Sequence, residues 1–108
     1  MAKETISIEA NLLWVIAQDR KSEYWIGVCE VLKISVQGKT LGELHEIIEE
    51  ALHALFSDLL ERRELELFLS QHKWKLRGSV PDSPARARFD IPYNIERRRQ
   101  NDFQGVLG

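Results

Sequence analysis

The chain has 108 residues, 44% of them hydrophobic and 30% charged, a size for one domain that buries roughly two thirds of the surface its unfolded chain would expose. No apolar run approaches the ~20 residues that cross a bilayer as a helix, which excludes such a span, and a single cysteine, Cys29, excludes an internal disulfide. The net charge of -2 is unevenly spread: residues 1–72 carry seven Lys and Arg against thirteen Asp and Glu, whereas residues 73–108 carry eight against four.

Thr5 to Gln18 opens with Ile6 and Ile8 alternating with Ser7 and Glu9, then runs into Leu12-Leu13-Trp14-Val15-Ile16. Alternation followed by a continuous apolar run predicts one long strand, half buried at first and covered on both faces later. Asp19 to Glu23 is short and polar, a hairpin turn, and Tyr24 to Cys29 returns as a second strand rich in aromatic and β-branched residues. Gly27 inside it marks a bulge or a close backbone approach. A third strand, Lys33 to Gln37, sets Ile34 and Val36 on one face and Ser35 and Gln37 on the other.

Gly38 ends this meander and Thr40, three residues before Glu43, opens a helix with a capping box. Behind it Leu41, Leu44, Ile47, Ile48, Ala51, Leu52, Leu55, Phe56, Leu59 and Leu60 recur at spacings of three and four, one face of a helix from Leu41 to about Arg63. Glu43, Glu46, Glu49, Glu50, Asp58 and Glu61 form its acidic outer face. Leu65, Phe68 and Leu69 keep a helical spacing that fits a continuation or a second short helix. Trp74 to Val80 looks extended, and Pro81-Asp82-Ser83-Pro84 is a turn-forming linker. Arg86 to Tyr93 alternates polar and apolar residues as an edge strand that Pro92 interrupts. From Glu96 onward the tail is polar, carries Arg97-Arg98-Arg99 and shows no sign of a core.

The elements predict an α+β domain: an antiparallel β-β-β-α-β meander with one long amphipathic helix on one face, over residues 1–80, followed by a Pro-containing basic arm, 81–108. Three strands, a tight Gly-x-Thr turn and an acidic helix resemble the HicB family of antitoxins. The likeness is carried by Tyr24-Trp25-Ile26-Gly27-Val28-Cys29, Val36-Gln37-Gly38-Lys39-Thr40 and Glu43-Leu44 leading to Glu49-Glu50-Ala51-Leu52. It departs from that family where Glu30-Val31-Leu32-Lys33-Ile34 replaces the usual Pro-Asp-Leu-Pro-Gly turn and where Lys39 follows the turn glycine in place of an acidic residue. The resemblance implies a partial ribonuclease H fold and inhibition by binding a small basic HicA-like ribonuclease toxin. An acidic body is the physical counterpart for such a partner. Longer members add a helix-turn-helix or ribbon-helix-helix module, and the stretch after Val80 has no helix pair of that kind.

Reaction chemistry finds little footing in the residues. A ribonuclease H centre needs carboxylates converging on two metal ions about 4 Å apart, and the candidates Glu9, Asp19, Glu23 and Glu30 sit at strand ends and turns. His45 and His53 lie about 12 Å apart along a helix and His72 stands alone, so no zinc set forms. Cys29, in a strand, reads as a small buried apolar residue. Gly38-Lys39-Thr40 lacks the upstream glycine of a phosphate-binding loop. Trp14, Trp25 and Trp74 read as core or interface anchors, and a sheet with one helix keeps an apolar face that favours a homo-dimer or higher oligomer.

The sequence therefore predicts a cytoplasmic, non-enzymatic HicB-like antitoxin without cofactor or metal. Glu43, Glu46, Glu49 and Glu50 on the helix, with Arg86, Arg88 and Phe89 from the arm, are the expected partner contacts. Two further readings stand beside it. One is an orphan interaction or assembly module of the same fold with no toxin. The other is a nucleic-acid-binding regulator that grips phosphates with the basic arm.

Overall fold

The structure, a computed structural model, describes residues 4–78 and 87–98. The order of elements is β1 (Glu4–Glu9), β2 (Leu13–Gln18), β3 (Trp25–Cys29), β4 (Ile34–Gly38), α1 (Leu41–Glu61), α2 (Leu65–His72), β5 (Lys75–Arg77), β6 (Ala87–Asp90) and β7 (Asn94–Arg97). The class is α+β, as the sequence predicts. The strands form two sheets, of order β5-β1-β6 and β4-β3-β2-β7.

Contacts divide the chain into two compact units, Met1–Asn11 with Ala51–Pro92 and Leu12–Glu50 with Tyr93–Gly108. In the first, β5 pairs antiparallel and β6 parallel with β1. Ile6, Ile8, Phe89 and Leu76 share one face by register, and Ile6 and Ile8 are buried together with Leu52, Phe56, Leu59, Leu60, Leu65 and Leu69. Phe56 is the hub, its ring 5.9 Å from both Phe68 and Phe89. Aromatic pairs at such separations add about 0.5–1.5 kcal/mol each beyond their buried area.

In the second unit β3 pairs antiparallel with both β2 and β4, the expected meander, and β7 joins β2 in parallel. Trp14, Ile16, Gly27, Cys29 and Val36 lie on the face that meets α1. A Cβ placed on Gly27 would stand 3.5 Å from Ile16 and Val36 and 3.6 Å from Leu44. The opposite face carries Leu13, Val15, Ala17, Ile26 and Val28, of which Val15 and Ala17 are buried with Ile26 and Val28 packed against them.

Two features depart from the single meander predicted. The long first strand divides at Ala10-Asn11-Leu12, where Asn11 is exposed and poor in strand propensity. Residues 87–98, expected in a basic arm, hold two parallel strands, so Glu96 and Arg97 belong to β7 and not to a structureless tail; residues 99–108 lie outside the described residues. β6 is an edge strand that stops before Pro92, as expected. Parallel pairing requires a long crossover, which α1, α2 and β5 supply.

Helix α1 ends at Glu61 because Arg63 turns left-handed (φ 61°), its N–H donating to Leu60 O (3.1 Å) and that of Glu64 to Leu59 O (2.9 Å). This Schellman closure separates α2, which ends the same way at Lys73 (φ 59°). Residues 65–72 are thus a second helix.

Candidate partner-binding site

The acidic face is positioned by the start of α1. Thr40 Oγ1 accepts from the Glu43 N–H at 3.0 Å and Thr40 O from the Leu44 N–H at 3.0 Å, so the Thr40 half of the capping box read from the sequence forms. Gly38 is buried beneath this turn, and a Cβ there would come within 2.8 Å of Leu44 N. Only glycine lets strand β4 approach the helix backbone so closely. With the entry fixed, Leu44 and Ile48 point into the core at 0% exposure, and Glu43, Glu46, Glu49 and Glu50 on the remaining arc are exposed. All four belong to the second unit.

The other expected contacts lie elsewhere. Arg86 is outside the described residues. Arg88 is exposed on β6 and Phe89 is half buried in the first unit, against Phe56 and, edge-on at 5.8 Å, His53. Phe89 therefore works inside its unit. The arginines after β6 are also engaged: the Arg97 guanidinium lies 4.6 Å over the Trp25 ring and Arg98 pairs with Glu96 at 2.9 Å.

Tyr93, in the same unit as the acidic face, is a residue that the sequence did not single out. Burial, helped by the Glu49 carboxylate, raises its phenol above the usual value. Its only sequence signal was an aromatic residue following Pro92.

The residues weighed for chemistry are engaged structurally. Asp19 ties the β2–β3 turn, accepting from Ser22 Oγ at 2.7 Å, and Glu9 pairs with Arg77. Glu30 stands in the β3–β4 turn, where the Lys33 N–H donates to its carbonyl at 3.2 Å. His72 stacks on Trp74 (4.5 Å, 26°) and its Nδ1 lies 2.9 Å from Phe68 O. Cys29 is fully buried; burial raises its thiol above the usual range, against the lowering pull of the Leu32 and Val31 backbone. Among the described residues no three or more His, Cys, Asp or Glu are grouped to hold a metal ion, and no helix is long and apolar enough to cross a membrane.

The chain matches no family model, no curated protein and no solved structure.

Proposed function

We propose that this protein is a non-enzymatic, HicB-like antitoxin that acts in the cytoplasm by binding a small basic RNA-cleaving toxin. The observation that carries the reading is the arc of Glu43, Glu46, Glu49 and Glu50, exposed on a helix whose opposite side is anchored by Leu44 and Ile48. Several carboxylates held in fixed register give a basic partner long-range attraction and a complementary surface at contact. The antiparallel β2-β3-β4 meander, closing on buried Gly38 and feeding the capped helix, agrees with the resemblance in the segments that carry it.

The test is binding to a HicA-type toxin encoded beside this chain, with RNA cleavage as readout. The expected result is a stoichiometric complex that suppresses cleavage and weakens steeply with salt. Replacing Glu43, Glu46, Glu49 and Glu50 with Lys should abolish suppression while the circular dichroism spectrum is kept. Suppression that survives the fourfold replacement would overturn the assignment of the site.

A further inference from the structure

We propose that β7 is a detachable strap of the second unit, latched by Arg97 on Trp25, which opens while the β2-β3-β4 meander stays folded. Among the described residues β7 is an edge of its sheet and pairs, in parallel, with β2 alone. One rung runs Arg97, Ile16, Gly27 and Val36 across the four strands, and Trp25 stands two residues from Gly27 on the same side of β3. The Arg97 guanidinium reaches over β2 and lies 4.6 Å above the Trp25 ring. It links two strands that are not hydrogen-bonded to each other.

The other holds on β7 are slight. None of its four residues is fully buried: Asn94, Glu96 and Arg97 are exposed and Ile95 is half-buried. The 2.9 Å pair of Arg98 with Glu96 joins the strap to itself and not to the sheet. What remains is the ladder to β2, closed at its ends by the Asn94 N–H on Leu12 O and the Arg98 N–H on Ile16 O, both at 2.9 Å. The neighbouring strands are held more firmly. β3 buries Gly27 and Cys29 and is paired on both sides, and β4, the other edge, ends in Gly38, buried beneath the start of α1. Local opening selects the element with the least buried apolar surface and the most exposed backbone bonds, which in this sheet is β7. Half-buried Tyr93 stays behind as the pivot, and Pro92 before it has no N–H to lose. The open form frees the outer edge of β2, the Trp25 ring and the Arg97 guanidinium together, so one strap gates all three. The strap does not depend on the reading of the acidic arc.

Native-state hydrogen exchange of the full chain, followed residue by residue by NMR, reads the opening directly. The Asn94 and Arg98 amides should be at least about tenfold less protected than the β3 amides bonded to β2. Arg97→Ala should speed their exchange about two- to fivefold, the loss of one exposed cation–π contact, with β3 unchanged. Arg97→Lys keeps a cation for the ring and should fall between the two. A disulfide joining Leu13→Cys to Asn94→Cys, opposite one another in the register and both exposed, made in a Cys29→Ala background, should bring the Arg98 amide towards the protection of β3. Equal protection of the strap and β3 would overturn the proposal, because β7 would then leave only with the whole fold. So would an Arg97→Ala chain whose strap exchanges no faster or whose β3 amides speed up equally, and so would a disulfide that leaves Arg98 as open as before.

Discussion

The two units solve the same problem in different ways. Each has a sheet with one face on α1, yet the three-stranded sheet also draws on α2 and on a cluster of rings centred on Phe56, whereas the four-stranded sheet keeps a mixed apolar and polar face on its far side. The first buries most of its large apolar side chains but leaves Leu67 exposed on α2, and the second holds Leu13 and Val31 at a surface. Where the interior is deep, packing explains the residues.

This contrast can be broken most decisively by truncation. Phe56→Ala should cost about 3–5 kcal/mol in urea unfolding, because the side chain is fully buried among two other rings. Val15→Ala on the far face of the second sheet, in the small cluster with Ala17, should cost only about 1–2 kcal/mol, the loss of two methyl groups. Equal costs would erase the distinction. Within the second unit, Gly38→Ala should destabilise by about 1–3 kcal/mol, since its Cβ would strike helix backbone. Gly27→Ala meets ordinary contacts at 3.5 Å and should stay within about 1 kcal/mol of neutral.

A smaller, pH-dependent effect comes from Cys29. Its thiol is raised above the usual 9.0 by burial, so on raising the pH the unfolded chain loses this proton first. Stability from this group is intact below that value and falls as pH climbs through it; unfolding measured from pH 8 upward should show a decline that Cys29→Ala reduces. The smallest effect expected is a gain. Arg63 and Lys73 close their helices in a left-handed conformation disfavoured for residues with a Cβ, and glycine at either should raise stability by a few tenths to about 1 kcal/mol, read as a higher denaturation midpoint.

Helix α1 was readable because its evidence is local: a cap at Thr40, a period of 3.6 and a glycine whose reason lies six residues away at Leu44. The β2-β3-β4 meander was readable for the same reason, since neighbouring strands joined by short turns announce themselves by alternation. The parallel pairs were not. Asn94 to Arg97 is a short stretch with two charges, and its partner β2 lies beyond a whole helical crossover, so no local pattern distinguishes it from a polar tail. The exposure of Glu43, Glu46, Glu49 and Glu50 followed from periodicity. That Phe89 turns inward did not, because alternation gives two faces without saying which is covered.

The pairing of β6 with β1 and of β7 with β2 joins positions some 81 to 83 places apart, Leu13 with Asn94 and Glu4 with Ala87. On the ribosome, at ~5–20 residues per second, the early strands wait several seconds for the segments that flank them. During that interval β2 has β3 on one side and a bare row of amide and carbonyl groups on the other. Newly made chains are therefore most vulnerable to sticking edge-to-edge before synthesis reaches Arg97.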